Sequence, residues 1–404
     1  MNIKTNHKHT IAASYIGYIT QAIINNFAPL LFVTFQNTFD IPLIKIGYLV
    51  TVNFCLQLIV DFAAAGFVDR IGYRKCIVAA HIFASAGLIL MGILPFVFAD
   101  PYIGLIISII CYAIGGGLTE VLISPIVEAC PTDKKSAAMS LLHSFYCWGH
   151  VAVILLSTLF FVIAGRNNWQ ILAFLWALIP AANAVYFCFV PIYNKPAPKE
   201  EKESGTLVSK LFFICILLMI CSGASEQAMS QWSSAFAETG LHVSKTIGDL
   251  CGPCMFAILM GVSRVFYAAC SEKIDLLKFI KGSCVLCIAG YLIASLSPNP
   301  VLALAGCGIC GLSVGILWPG VFSIAAVKMP AGGTAMFALL ALAGDFGCSA
   351  GPTFVGAVSS AFNNDLKSGF LAAIIFPLVL ISGISVLGKI NRGEFNEKAK
   401  KQHN

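Results

Sequence analysis

Seven ionisable side chains lie inside long apolar runs of this 404-residue sequence, where a charge is costly. They are Asp61, Glu120, His143, His150, Glu226, Arg264 and Asp345. An ionisable group near the centre of a membrane helix costs about 2.5 to 3.5 kcal/mol on insertion scales, so its presence indicates a function. Carboxyl, imidazole and guanidinium groups bind polar solutes, and the first two also exchange protons. These residues are therefore candidates for a site that binds a polar solute, a proton or both.

A second set of polar groups adjoins Glu226. Gln227 and Gln231 are four residues apart, so a helix would place them on one face, with Trp232 next in the chain. Amides and carboxylates donate to and accept from hydroxyl groups, and an indole face packs against sugar C–H groups. The pattern predicts contacts with a carbohydrate or a similar polar solute. Two further tryptophans, Trp148 and Trp318, are candidate walls of the same site.

The elements that must position these groups are membrane-spanning helices. The chain is 58% hydrophobic and 11% charged, against roughly a quarter charged residues in an ordinary soluble domain. A spanning helix needs about 20 mainly apolar residues, and such runs recur along the whole sequence. We predict twelve helices, over 11–36, 44–67, 76–98, 101–129, 137–163, 169–192, 210–237, 248–270, 279–296, 299–327, 333–358 and 367–389. The predicted fold class is an all-α membrane protein embedded in a lipid bilayer.

The basic residues predict the orientation of the chain. Successive loops alternate between the two sides of the membrane, and Lys and Arg are enriched on the cytoplasmic side. Of the 25 Lys and Arg residues, twenty lie in the segments that share a side with both termini, four lie in the opposite segments, and Arg264 lies within a helix. We therefore expect both termini on the cytoplasmic side of the cell (inner) membrane.

A charged, proline-containing segment divides the predicted helices into two groups of six. Residues 193–209 include Lys-Pro-Ala-Pro-Lys-Glu-Glu-Lys, which is typical of a solvated linker. We predict an N-terminal six-helix bundle over 1–192, a cytoplasmic linker over 193–209, and a C-terminal six-helix bundle with a cytoplasmic tail over 210–404.

The segment between the second and third predicted helices reads GFVDRIGYRK over 66–75. It resembles the signature loop of the major facilitator superfamily and lies in the helix interval where that family has it. The resemblance implies a transporter of two six-helix halves, in which the glycines allow close helix approach while the aspartate and basic residues latch the halves together. The resemblance also implies that five residues of this segment control gating without contacting the solute, namely Gly66, Asp69, Arg70, Gly72 and Arg74.

The second half contains a weaker copy of this segment. A shift of 203 residues places Asp69-Arg70-Ile71 on Glu272-Lys273-Ile274, and Asp61 on Arg264. Repeated halves are typical of transporters whose solute site lies between them near the bilayer midplane. Asp61 and Arg264, together with Asp345 in its Gly-Asp-Phe-Gly segment, are predicted gating charges.

A finer resemblance concerns the fourth predicted helix. There, three glycines precede Glu120, and Pro125 follows Glu120 by five residues. Here the chain is similar to the fucose permease-like branch of the superfamily, which comprises fucose, glucose and galactose symporters with a proton-linked glutamate at this place. Asn25 and Asn26 in the first helix also match that branch. The resemblance implies that Glu120 couples solute binding to protonation and that both asparagines contact the solute.

One position departs from that branch. Pro29 stands where the fucose permease has an aspartate shortly after its two asparagines. The second group in proton transfer must then be another residue, and Glu226 or His143 is the expected one. Both are also candidates for contact with the solute, because each lies within a predicted spanning helix.

Other classes of protein fit the sequence less well. A nucleotide-driven pump needs a phosphate-binding loop, and the nearest pattern, Gly383 to Lys389, ends in Ile390 where Ser or Thr is required. A membrane enzyme would need clustered metal ligands or a nucleophile with its base, and His143 and His150 lack the spacing of a zinc pair. We expect a monomeric transporter that is not an enzyme, with no cofactor, metal or nucleic acid. A proton-coupled exporter of drugs or metabolites with the same fold is the alternative, because fold does not fix direction or substrate.

The orientation can be tested with reporter fusions placed after Lys202 and after the last helix. Both reporters should read as cytoplasmic, because the basic residues concentrate on that side. A reporter that reads as periplasmic at either place would contradict the predicted number of helices.

Overall fold

Twelve long helices make up the part of the chain that the structure describes, a computed structural model of residues 3–132, 135–193, 210–270, 274–329 and 333–402. They are α1 (His7–Phe39), α2 (Leu43–Ile71), α3 (Tyr73–Val97), α4 (Pro101–Glu128), α5 (Lys135–Ala164), α6 (Trp169–Phe189), α7 (Lys210–Gly240), α8 (Lys245–Asp249, Leu250–Cys254 and Met255–Cys270), α9 (Leu276–Leu296), α10 (Pro300–Lys328), α11 (Gly333–Ala361) and α12 (Leu366–Ala373 and Ile375–Gln402). Eleven of these described spans are long and apolar enough to cross a membrane. The remaining helix, α11, packs along α7 and α2. The predicted all-α fold with twelve helices is confirmed.

Most of the predicted linker and three of the predicted site residues fall outside this description. The linker expected over 193–209 lies outside the described residues from residue 194 onward. The surroundings of Gly66 and the side chains of Asp69 and His143 also lie outside the described part of the chain.

The fourth helix of each half begins in the same way. The side chain of Asp100 caps α4 by accepting from the main-chain N–H of Tyr102. Asn299 caps α10 by accepting from the N–H groups of Val301 and Leu302. Both caps are followed by a proline at the first helical position, where its missing N–H costs nothing. The shared start of α4 and α10 agrees with the repeat found in the sequence.

Several helices that the sequence predicts as continuous are interrupted inside the protein. In α1, the α-helical part His7–Asn26 is followed by a short 3-10 turn over Ala28–Leu31 that contains Pro29. In α10, the helix ends at Val314 and resumes at Leu317. A proline removes one helical hydrogen bond and frees a carbonyl, which membrane proteins tolerate where the backbone is buried in protein. All four residues of the 3-10 turn in α1 are buried.

The helices form two halves that meet along a small number of contacts. In the first half, α3 packs on α4 and α6, and α1 packs on α5. In the second half, α7 packs on α11, and α9 packs on α10. The halves touch where α2 meets α11, where α5 meets α8, and where the break in α1 meets α7. The outer surface carries exposed apolar side chains such as Phe62, Ile163 and Val301, which suit contact with lipid.

Glycine allows the closest helix approach in the second half. A Cβ atom added to Gly347 of α11 would overlap the carbonyl oxygen of Ile220 of α7. At Gly282 of α9, an added Cβ would meet nothing within 4 Å. Contact between α7 and α11 therefore depends on the missing side chain at residue 347.

Replacing Gly347 with alanine is expected to lower the stability of the protein by about 1–3 kcal/mol, because the helices must separate to admit the methyl group. The matched change Gly282→Ala should leave stability equal or slightly higher, since alanine is the better helix former. Melting temperatures of the two detergent-purified variants would be compared with that of the wild type. Equal melting temperatures for the two variants would contradict the close approach of α7 and α11.

Candidate solute-binding cavity

A cavity of about 620 Å³ lies between the two halves. Its volume is within the range of about 300–1,000 Å³ that is usual for pockets that bind small molecules. Carboxyl groups from both halves face it, namely Glu120 of α4, Glu226 of α7 and Asp345 of α11. Aromatic side chains form other parts of the wall, including Trp148 of α5 and Trp318 of α10. The cavity therefore combines apolar walls with a few polar groups, as expected for a small polar solute.

In the first half, Glu120 follows a stretch of α4 that lies close to α2 and α1. The glycines that precede it make this approach possible, because a Cβ at Gly117 would lie 2.8 Å from the carbonyl oxygen of Gln57. The amide nitrogen of Gln21 donates a hydrogen bond to Glu120 Oε2 at 3.2 Å. An amide in this place satisfies one carboxyl oxygen without adding a charge.

Four buried amide side chains extend from this contact, and we call Gln21, Gln57, Asn53 and Asn25 the amide ladder. Gln21 Nε2 donates to Gln57 Oε1 at 2.7 Å. Gln57 Nε2 donates to Asn25 Oδ1 at 2.9 Å and to Asn53 Oδ1 at 2.8 Å. Asn53 Nδ2 also donates to Asn25 Oδ1, at 3.1 Å. At the far end of the ladder, Tyr146 lies near the side chains of Asn25 and Asn26.

The ladder continues into the second half through the main chain of Asn25. Its carbonyl oxygen accepts a hydrogen bond from Gln231 Nε2 at 3.1 Å. In an uninterrupted helix this carbonyl would accept from the N–H of residue 29, but that residue is a proline and has none. The break in α1 thus provides the acceptor through which α7 contacts α1.

The charged groups of the second half form a pair beside the cavity. Gln231 Nε2 donates to Gln227 Oε1 at 3.0 Å, and Gln227 Nε2 donates to Glu226 Oε1 at 3.3 Å. Arg264 Nη2 lies 3.6 Å from Glu226 Oε2. The sequence left open which intramembrane charges pair, and the structure pairs Arg264 with Glu226. Hydrogen bonds thus lead from Glu120 in one half to Glu226 in the other by way of Asn25, and the ion pair extends this connection to Arg264.

Arg264 has two further contacts that hold it at the junction of three helices. Its Nε donates to the carbonyl oxygen of Gly315 in α10 at 3.3 Å. The helical partner of that carbonyl would be residue 319, which is again a proline without an N–H. Arg264 Nη1 also lies 3.3 Å from the sulfur of Cys147 in α5 of the first half.

The predicted gating charges Asp61 and Asp345 lie on the side of Glu120. Their carboxyl groups are close enough to Glu120 for the charges to interact. Asp345 lines the cavity. Asp61 Oδ1 is buried and has no hydrogen-bond partner. The three carboxyl groups are drawn from both halves, because α2 and α4 belong to the first and α11 to the second.

Contacts between the halves close the cavity toward the face opposite to the chain termini. The hydroxyl groups of Thr51 in α2 and Thr353 in α11 form a hydrogen bond. The hydroxyl oxygen of Thr158 in α5 lies 3.4 Å from Asp249 Oδ2 in α8. The other carboxylate oxygen, Asp249 Oδ1, lies 2.8 Å from Lys245 Nζ. These residues lie within about two to three turns of the helix ends on that face, as does the ion pair between Arg166 and Glu238.

The cavity extends in the other direction, toward the face that carries both termini. Its wall there includes Tyr18 from the first part of α1, Tyr267 from the last part of α8 and Phe322 from the second part of α10. The structure is therefore closed toward the opposite face, and its cavity reaches toward the terminal face.

Three of the predicted solute contacts lie outside the cavity wall. Trp232 is fully buried, with its indole N–H donating to the carbonyl oxygen of Pro352 at 2.9 Å and its ring beside Phe32. It fills the closed contact between the halves. Gln231 and Asn26 are likewise used in contacts between protein groups.

The signature segment between α2 and α3 has well-defined local contacts. Gly72 has a φ of 97°, a backbone conformation that favours glycine, and it separates the two helices. Arg74 donates to the carbonyl oxygens of Phe187 and Cys188 at the end of α6, in the same half. Arg70 is exposed.

The site also contains residues that the sequence analysis did not select, chiefly Gln21, Gln57 and Tyr146. A signal for two of them was present. Gln21 precedes Asn25 by four residues and Gln57 follows Asn53 by four, which is the spacing that drew attention to Gln227 and Gln231. No comparable spacing marks Tyr146, whose position depends on how α5 packs against α1.

Two helical halves around a central polar cavity are the architecture of a membrane transporter. The chain belongs to the Major Facilitator Superfamily, whose family model matches residues 13–352. Among curated proteins it is similar to the membrane protein MosC of Rhizobium meliloti, with 23% identity over 329 residues that cover 79% of this chain and 78% of the relative.

Solved structures share the fold at low sequence identity. A bacterial homolog of the human lysosomal transporter Spinster, in an inward-facing and occupied conformation, aligns with a TM-score of 0.77 and 15% identity over 95% of this chain and 97% of that one. The nucleoside transporter NupG aligns with a TM-score of 0.73 and 13% identity over 94% of this chain and 99% of that one.

The closure between the halves can be tested by replacing Thr51 and Thr353 with cysteines in a background without other cysteines. The double variant should cross-link on mild oxidation, because the two hydroxyl groups are in hydrogen-bond contact. After cleavage at a protease site introduced into the 193–209 linker, the two halves should stay together on a non-reducing gel. Each single cysteine variant serves as the control, and halves that separate in the double variant would contradict this closed contact.

Proposed function

We propose that the protein is a proton-coupled secondary transporter of a small, hydroxyl-bearing solute, such as a sugar or a related metabolite. The observation that supports this most directly is the cavity of about 620 Å³, with Glu120 and amide groups on one half and the Glu226–Arg264 pair on the other. A solute that bridges these groups would contact both halves, and could therefore bias their relative position.

The composition of the cavity favours hydroxyl groups as ligands. Gln21, Asn25, Gln57 and Gln227 supply amides that both donate and accept, and Tyr146 supplies a hydroxyl group. Trp318 offers an apolar ring for the C–H faces of a sugar. This chemistry agrees with the resemblance to the fucose permease-like branch, and the nucleoside carried by the structural relative NupG also bears a sugar ring with hydroxyl groups.

Proton coupling is assigned to Glu120, with Glu226 as the second group. Glu120 accepts its hydrogen bond from an uncharged amide, whereas Glu226 has Arg264 beside it. A buried carboxylate is costly without a cation, and protonation removes that cost. Binding a proton at Glu120 from one side and releasing it to the other would couple the proton gradient to solute movement. His143 remains a candidate for the same role from its place in the sequence.

The proposed transport cycle uses both halves of a monomer. The halves over 1–192 and 210–404, joined by a cytoplasmic linker, would open the cavity alternately to the two faces of the cell membrane. With both termini cytoplasmic, the described state faces the cytoplasm. Asp69 and the basic residues of its segment would hold the opposite, outward-facing state. The alternative is a proton-coupled exporter with the same fold, and the exposed aromatic Trp148 in the cavity wall is the feature that favours it.

The substrate and the role of Glu120 can be tested together. A thermal-shift screen of the detergent-purified protein against sugars, nucleosides and organic acids would select a solute that raises the melting temperature. In proteoliposomes, Glu120→Gln should retain exchange of that solute down its own gradient, because the amide imitates the protonated carboxyl group. Accumulation driven by a pH gradient should be lost.

Glu128→Gln is the matched control, since Glu128 is exposed at the end of the same helix. This variant should accumulate solute as the wild type does. If Glu120→Gln also keeps pH-driven accumulation at the wild-type level, Glu120 has a structural role and the symport proposal fails. If the pH gradient drives the solute outward instead, the exporter alternative is correct.

A further inference from the structure

The hydrogen bonds within the amide ladder all run from Gln21 toward Asn25, and Gln21 is also the donor to Glu120. Gln21 donates to Glu120 and to Gln57, Gln57 donates to Asn25 and Asn53, and Asn53 donates to Asn25. The exposed fraction of each of the four side chains is 6% or less. A buried amide must satisfy its donors and acceptors within the protein, so the orientation of one amide constrains the next.

This direction suits a carboxylate at Glu120. An ionised carboxyl group only accepts hydrogen bonds, and Gln21 presents its NH₂ group to it. The cost is an orphaned acceptor, because Gln21 Oε1 is buried and has no hydrogen-bond partner. It lies near Gly116, where a Cβ would approach it at 3.3 Å.

Protonation changes what Glu120 requires. When Glu120 takes one proton from the solution that the cavity faces, one carboxyl oxygen forms an O–H bond and becomes a donor. Half a turn of the Gln21 amide about its last side-chain bond would bring the orphaned Oε1 to this donor. The same turn would set Gln21 Oε1 against Gln57 Oε1, acceptor against acceptor, so Gln57 must turn as well, followed by Asn53 and Asn25.

Several other titratable groups of the described residues surround Glu120. The titratable groups whose charges interact with it are Tyr18 of α1, Asp61 of α2, Tyr146 of α5, and Asp345 and Cys348 of α11. None of these described groups is a cation that could neutralise a carboxylate. Asp61 Oδ1 is also a buried acceptor without a partner, but Gln21 is the residue already hydrogen-bonded to Glu120.

We infer that the amide ladder reverses its hydrogen-bond direction when Glu120 is protonated, and that Gln21 and Gln57 thereby transmit the state of Glu120 to the solute contacts at Asn25 and Tyr146. This inference rests on the proposed coupling role of Glu120. Asn25 would offer the cavity a donor in one state and an acceptor in the other. Solute affinity would then depend on protonation although Gln57 exchanges no proton itself. Gln21 and Gln57 are positioning residues in this scheme.

Infrared difference spectroscopy of the full-length protein tests the reversal without a solute. The protein is labelled with ¹³C at the side-chain carbonyl of glutamine, and spectra are recorded through a pH titration. The carboxyl C=O band of Glu120 is identified by its loss in Glu120→Gln. We expect the labelled glutamine bands to change with the same midpoint as this carboxyl band, and to be independent of pH in Glu120→Gln.

Two further variants assign the change to the ladder. Gln21→Met should leave the carboxyl band titrating, with a shifted midpoint, while the coupled glutamine change disappears. Gln170→Met is the matched control, because Gln170 lies in the first turn of α6 beside Gly92, away from the ladder. Its spectra should change with pH as those of the wild type do. The melting temperature of each variant confirms that it is folded.

The outcomes separate this inference from the proposed function. Glutamine bands that stay constant while the Glu120 carboxyl band titrates would overturn the reversal and leave the coupling role of Glu120 intact. The reversal would also be overturned if Asp61→Asn, but not Gln21→Met, shifted the midpoint of the Glu120 carboxyl titration. In that case Asp61 would be the acceptor of the hydrogen bond from protonated Glu120. A carboxyl band that does not titrate at all would overturn the coupling role itself, and the reversal with it.

Discussion

The hydrogen bond from Gln231 to the main-chain carbonyl of Asn25 joins the two halves of the protein at the level of the cavity. It exists because Pro29 has no N–H to give to that carbonyl. In lipid no water is available to satisfy the freed oxygen, so another protein group must do so. Gly315 and Pro319 repeat this relation in α10, where the freed carbonyl accepts from Arg264. Two prolines thus create the acceptors that position Gln231 and Arg264, and the orientation of Glu226 and Gln227 depends on both.

The number and type of the helices follow from hydropathy, since each helix must supply about 20 apolar residues to cross the bilayer. The shared face of Gln227 and Gln231 could also be predicted, because residues four apart on a helix are neighbours. The contacts between helices could not be predicted from the sequence. Trp232 lies on the same stretch of α7, yet it fills the contact with Gly47 and Gly356 and leaves the cavity wall to Trp318. Which side of α7 meets the other half depends on packing across the molecule.

The interruptions of α1 and α10 show a second limit. Pro29 and Pro319 are visible in the sequence, and each predicts a missing hydrogen bond four residues earlier. The group that replaces the missing donor is distant in the sequence. It lies about 200 residues from Asn25 and about 50 residues from Gly315. The spacing of Gln21 from Asn25 and of Gln57 from Asn53 was visible in the sequence, but the hydrogen bonds between the two helices depend on packing.

The pairing of Glu226 with Arg264 has a consequence for the response to membrane voltage. This pair contributes no net charge to the second half, whatever its position in the electric field. Ionised Glu120 has an uncharged amide as its hydrogen-bond partner, so it carries one negative charge with the first half. Moving one elementary charge through 100 mV is worth about 2.3 kcal/mol. Voltage would therefore change the free energy of reorienting the two halves when Glu120 is ionised. Protonated Glu120 carries no charge and would not contribute to this voltage dependence.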